Sequence, residues 1–316
     1  MFPGFESYVG PAAGVATAML WTATSLFFTA AGRRIGPTLV NTFRLVLAVA
    51  LHAGTHKLFA GTWWPTAVSG QIYYLALSGI VGLSIGDQAL FTAFMDIGPR
   101  LSLLIMTTSP LFAALFGWLA LGETLQPLAG IGVVLTVGGV GWVVLERPLT
   151  AVGRNPPHRS RGIILAFVGS VCQAGGLLLS KQGIGHGWLP EDQHLSPQAA
   201  TFVRMFFAGL GMIPILIVHT ARARKLRESG IVPKRVGSRG MGLVFSGCGA
   251  VVGPYLGVWM SLMAAHHAPL GVAQTLCSLT PIFILPVLAI AYKEHISVRA
   301  TLGAVLAVFG SAMLFL

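Results

Sequence analysis

Apolar residues run through this chain in long blocks, interrupted at near-regular intervals by short polar, glycine or proline segments. A helix that crosses the hydrocarbon core of a bilayer needs about 20 mainly apolar residues. Blocks of that length fall near 11–31, 37–54, 71–95, 101–121 and 126–145, and again near 161–183, 197–219, 241–264, 269–291 and 298–316. The pattern predicts an all-α integral membrane protein with ten transmembrane helices. Between the fifth and sixth blocks lies a polar stretch from Glu146 to Arg161 that contains Asn155-Pro156-Pro157 and cannot span. It divides the chain into a five-helix unit over 1–146, a connector over 147–160 and a second five-helix unit over 161–316.

The two units carry the same landmarks. Ser109-Pro110-Leu111-Phe112, Glu123, Gly132 and Gly139 are answered by Thr280-Pro281-Ile282-Phe283, Glu294, Gly303 and Gly310. From Pro110 onward the partners share one offset of 171 residues. A proline, an acid and two glycines at constant spacing in apolar sequence indicate internal duplication. Ser78-Gly79 also finds an echo in Ser246-Gly247, an offset that sets Asp87 against Tyr255. Thr42-Phe43-Arg44 finds one in Thr201-Phe202 and Arg204. Five spans is an odd number, so the second unit must enter from the opposite side, which predicts an inverted repeat with a solute site between the halves.

Composition reinforces this picture. Hydrophobic residues make up 54% of the chain and charged ones only 9%, with mean hydropathy +0.78; soluble domains carry about 25% charged residues. The net charge of +11 does not point to nucleic acid, because the basic residues lie mostly in short loops between spans. Loops after odd-numbered spans hold 16 Lys and Arg, including seven between Arg222 and Arg239, against two (Lys57 and Lys181) on the even side. The positive-inside rule then places the odd loops in the cytoplasm and both termini outside. No Lys or Arg precedes the first block within Met1 to Gly10, so that block reads as a span rather than a signal peptide. Cys172, Cys248 and Cys277 show neither CxxC spacing nor a His/Cys cluster, and adjacent His266 and His267 diverge on a helix; no metal or cofactor is expected.

On Pro110-Leu111-Phe112, Gly122-Glu123 and Gly132, with Pro281, Glu294 and Gly303 as partners, the chain resembles the EamA-type branch of the drug/metabolite transporter superfamily over nearly its whole length. The resemblance implies two inverted five-helix repeats around a central cavity, export or exchange of small metabolites, and both termini inside. That last point opposes the charge tally, which we follow. The expected protein is a multi-pass secondary transporter of the plasma or inner membrane, moving a small polar or amphipathic solute by alternating access. A non-transporting receptor or assembly subunit is the alternative. An enzyme is the weakest reading: no P-loop, HExxH or GxSxG occurs. Partners are the solute, the lipid bilayer and a proton or other coupling ion; oligomeric state is not legible.

Few polar groups enter the spans, and each is a candidate because ionisable groups in hydrocarbon are costly. Asp87, with Gln88 beside it, follows Gly86 inside the third span and is the candidate ion-coupling and solute-binding acid. Trp21 and Ser25 on the first span, Gln173 on the sixth, Tyr255 and Trp259 after Gly253-Pro254 on the eighth, and Gln274 on the ninth complete the candidate solute wall. Arg44 and Arg204 hold equivalent places in the two halves, and a residue kept in both reads as scaffold rather than site. Glu123 and Glu294 read as helix-end residues, and Trp63-Trp64 as an interfacial anchor.

Overall fold

The computed structural model describes residues 5–121, 128–145, 158–185, 194–229, 237–267, 270–291 and 297–313. Among the described residues there is no strand. The first half contains α1 (Phe5–Ile35), α2 (Pro37–Ala60), α3 (Ser69–Ser78), the π-helical π1 (Gly79–Gly86), α4 (Asp87–Met106), α5 (Ser109–Leu121) and α6 (Leu128–Val144). The second contains α7 (Arg159–Ile184), α8 (Pro197–Glu228), α9 (Arg239–Ala250), π2 (Val251–Gly257), α10 (Val258–His267), α11 (Leu270–Cys277), α12 (Thr280–Ala291) and α13 (Val298–Met313). Glu123, Glu294 and most of the connector lie outside the described residues.

Among the described residues, seven helical runs are long and apolar enough to cross a bilayer: Tyr8–Ile35, Pro37–Ala60, Ser69–Met106, Arg159–Ile184, Pro197–Leu226, Arg239–His267 and Val272–Ile290. Three further apolar helices are shorter, Ser109–Ala120, Gly130–Val143 and Val298–Met313. The expected span over 101–121 is therefore not one continuous helix. Its first residues belong to α4, and the chain breaks at Thr107-Thr108 before α5 begins. Within α4, Gly98 leaves helical geometry (φ 81°, ψ 163°) immediately before Pro99. Proline cannot continue the hydrogen-bond ladder, and glycine tolerates the positive φ. The ninth block is broken in the same way between α11 and α12.

Two other expectations need correction. The basic stretch from Arg222 is not all loop, since α8 continues to Glu228, where Arg224 pairs with Glu228 one turn on at 2.9 Å. The Ser78–Ser246 alignment is also superseded. Gly82 and Gly86 of π1 correspond to Gly253 and Gly257 of π2 on the 171-residue offset, and Asp87, the first residue of α4, corresponds to Val258, the first of α10. Asp87 has no acidic or aromatic counterpart.

The main contacts cross from one half to the other: α1 packs on α9 and α10, α7 on α3 and α4, α2 on α8, and α6 on α13. Glycines set these approaches. A Cβ at Gly249, Gly253 or Gly257 would strike Phe28, Thr24 or Trp21 of α1; one at Gly82 or Gly86 would approach Gly176 or Cys172 of α7. Ascending numbers on one helix meet descending numbers on the other, so each pair is antiparallel. In α6 and α13 the pattern is reciprocal. A Cβ on Gly139 would lie 2.7 Å from Gly303 O, one on Gly310 2.7 Å from Gly132 O, and Thr136 Oγ1 donates to Ala307 O at 3.3 Å across the 171-residue offset. Residue i meets j′ while j meets i′, as at an interface on a two-fold axis. Small residues suit this contact because, in lipid, helix association depends on close packing rather than on hydrophobicity.

Candidate functional site

Where the halves meet, π1, π2 and both helix breaks border one cavity of about 90 Å³. Trp21, Phe28, Leu90, Phe91 and Phe94 form its apolar wall. Thr24, Ser25, Gln173 and Gln274 are polar, and Arg44, Asp87 and Arg204 are charged.

The π-helical stretch explains how the charged groups are held. A π turn bonds residue i to i−5 and leaves carbonyls free for other donors. At the end of π1 the Asp87 N–H reaches back to Gly82 O. Leu83 O then accepts from Arg44 Nη2 at 3.3 Å and Asn41 Nδ2 at 3.4 Å, and Ser84 O accepts from Asn41 Nδ2 at 3.3 Å. Arg44, 3% exposed on α2, also donates through Nε to Asn41 Oδ1 at 2.9 Å and through Nη2 to Asp87 Oδ2 at 2.5 Å. Its guanidinium sits 4.8 Å from the Phe91 ring centroid and 5.6 Å from that of Phe28. Asp87 and Arg44 thus form a buried, charge-assisted pair framed by aromatic faces.

Arg204 is held differently. It is 2% exposed on α8, and its guanidinium lies in a slot between π1 and α7. A Cβ at Gly82 would lie 2.8 Å from Nη2, and one at Gly176 3.1 Å from the same atom. Among the described residues neither Nε nor Nη2 finds a hydrogen-bond partner, although Asp87 is within electrostatic reach. A buried, under-bonded cation is expensive, because unsatisfied charged groups cost more than the roughly 1–3 kcal/mol of a neutral donor. Thr24 and Gln274 also line the cavity, and their Oγ1 and Oε1 atoms have no hydrogen-bond partner among the described residues.

The helix breaks supply the remaining wall. Thr107 Oγ1 donates to Leu104 O at 2.6 Å and Thr108 Oγ1 to Ile105 O at 2.7 Å, capping the end of α4, before Pro110 opens α5. Thr280 Oγ1 donates to Cys277 O at 2.9 Å, with Pro281 at the start of α12. Gln274 Nε2 links the breaks by donating to Ser109 Oγ at 3.0 Å.

Of the sequence candidates, Trp21, Ser25, Asp87, Gln173 and Gln274 border the cavity. Gln88, Tyr255 and Trp259 do not. The Gln88 Nε2 group donates to Thr38 Oγ1 on α2 at 3.0 Å. Tyr255 shares a 2.7 Å hydrogen bond with Thr55, and its ring packs 4.9 Å from His52, with Trp259 6.4 Å from the same imidazole. Arg44 and Arg204, read as scaffold, both face the cavity. Thr24, Phe28, Phe91, Thr107 and Ser278 line the cavity without standing out in the sequence. The breaks did leave a trace, since hydroxyl residues ahead of Ser-Pro or Thr-Pro mark a helix start. Thr24, Phe28 and Phe91 left none, being ordinary residues on apolar helices.

Long apolar helices packed through glycines, with charged groups buried among them, describe a multi-pass integral membrane protein. The EamA-like transporter family model matches residues 9–145 and again 160–316, and the chain belongs to that family of membrane transporters. A solved crystal structure is similar over 96% of this chain and 94% of its own, at 17% identity with a TM-score of 0.65, a likeness of fold alone. No curated protein matches the sequence.

Proposed function

We propose that the protein is a secondary transporter with ten membrane-crossing elements in two inverted five-helix repeats, 1–146 and 161–316. It moves a small polar or amphipathic metabolite by alternating access, as an exporter or exchanger of the plasma or inner membrane. The observation that carries this reading is the cavity at the junction of the halves, bordered by a π-helical stretch and a helix break from each. Discontinuous helices at a repeat interface are the usual setting of a transport site. The reciprocal antiparallel contact of Gly132 and Gly139 with Gly310 and Gly303 supports the inverted arrangement. The breaks at Gly98 and at Thr107-Thr108 support counting Pro99 to Leu121 as the fourth element, equivalent to α11 with α12. Rocking one half about that contact would expose the cavity to each side in turn.

Asp87 holds Arg44 in place, and coupling to a proton or other ion is the further role open to it. Flux in proteoliposomes tests the function. A panel of organic anions, cations and neutral metabolites, offered with and without a pH gradient, should reveal saturable uptake for at least one class. Uptake driven by the gradient and uncoupled in Asp87→Asn would assign coupling to Asp87. Uptake indifferent to the gradient would leave it a positioning residue. Absence of flux across the panel would favour a receptor or assembly subunit.

A further inference from the structure

We infer that the cavity selects a small amphipathic monoanion, a carboxylate on an aromatic or branched apolar body, with Arg204 as the residue that binds its charge. This rests on the cavity being the solute site. Of the described residues lining it, three are charged: Arg44, Asp87 and Arg204. Asp87 and Arg44 neutralise one another across their direct contact, and Asn41, Leu83 O and two aromatic faces occupy what remains of Arg44. Arg204 is left with an unmatched positive charge.

A cation buried at this depth is tolerated where something supplies the opposite charge. Gly82 and Gly176 clear the slot that admits its guanidinium, and no acceptor among the described residues fills Nε or Nη2. Guanidinium presents paired N–H groups that match the two oxygens of a carboxylate. The start of α12, at Thr280 and Pro281, also borders the cavity and adds the positive end of a helix dipole. One excess positive charge fits a monoanion; a dianion would leave a negative charge uncompensated beside Asp87. Trp21, Phe28, Phe91 and Phe94 receive the apolar body.

The test compares benzoate with benzamide, which share shape and differ in charge, and adds inorganic phosphate as a third probe. Binding is read by thermal stabilisation of the purified full-length protein, and transport by flux in proteoliposomes, so the two failures separate. Benzoate should stabilise the protein and benzamide should not. Arg204→Gln should weaken benzoate about 10- to 100-fold, the range for a charge-assisted pair, and Arg204→Lys should recover part of that loss. Gly82→Ala, which pushes on Nη2, should weaken benzoate as well. Should Arg204→Gln not fold, the wild-type preference of acid over amide and the Arg204→Lys value still decide. Equal binding of acid and amide, or unchanged benzoate affinity in folded Arg204→Gln, would overturn the inference even with transport intact. Phosphate binding tighter than benzoate would overturn the monoanion assignment. Selective benzoate binding without flux would uphold the inference and count against transport.

Discussion

Removing the charge of Asp87 is the most informative single perturbation. In Asp87→Asn the side chain keeps its size, but Arg44 loses the carboxylate that accepts from Nη2. Breaking one partner of a buried ion pair costs about 3–5 kcal/mol, chiefly by stranding the other charge. Arg44 is 4% exposed at its side chain and Asp87 16%, so solvent screens the pair little. Arg44 nevertheless retains Asn41 Oδ1, Leu83 O and the faces of Phe91 and Phe28, and an amide oxygen at position 87 can accept one hydrogen bond. These put the loss at the lower end, about 3 kcal/mol. A second consequence follows from Arg204, since without Asp87 two cations share one cavity with no anion among its described lining residues.

Arg44→Met with Asp87→Asn removes both charges and should be less destabilised than the sum of the two single variants, by about 2 kcal/mol of coupling. Unfolding in mixed micelles, followed by tryptophan fluorescence and circular dichroism, measures all four proteins. Additivity within about 0.5 kcal/mol would refute the claim that the pair acts as a unit. A stability loss in Asp87→Asn below about 1 kcal/mol would refute the premise that Arg44 depends on it.

Other consequences of the packing are as direct. Gly139→Ala places a Cβ 2.7 Å from Gly303 O and 2.8 Å from Ala307 N, where only backbone could yield, and should cost about 1–3 kcal/mol; Gly138→Ala, with nothing within 4 Å, should cost nothing in the same unfolding assay. Tyr255→Phe removes the 2.7 Å bond to Thr55 and should lower stability by about 0.5–1.5 kcal/mol while leaving ligand binding unchanged, because Tyr255 stands outside the cavity. With Cys172, Cys248 and Cys277 replaced, a cysteine at Ser238 should resist an impermeant thiol reagent in intact cells and one at Thr62 should react. The reverse labelling would put both termini inside and overturn the charge tally.

Apolar block length and the repeated landmarks announced helices, bilayer and duplication, because these depend on local composition and on offsets along one chain. Gly132, Gly139, Gly303 and Gly310 were visible as a repeating set, and the contact between α6 and α13 uses all four. The polar candidates inside spans were also visible, since a carboxylate or guanidinium among apolar residues is conspicuous wherever it sits. Hidden in the sequence were the π-helical register and the neighbours of each charge. A π turn and an α turn draw on the same residue types. Which carbonyl an arginine reaches depends on a helix tens of residues away.

Arg44 and Arg204 illustrate the division. From sequence alone they are equivalent, each following a Thr and a Phe in the second helix of its half. Only the tertiary structure separates them, because Asp87 lies at the end of π1 and the corresponding Val258 follows π2. One arginine therefore meets a carboxylate, and the other a slot between two glycines. Duplication made the two halves alike along the chain. A single unmatched acid, placed where the halves converge, made them electrostatically unlike, since charge pairing is decided by distance in space and not by position in a repeat.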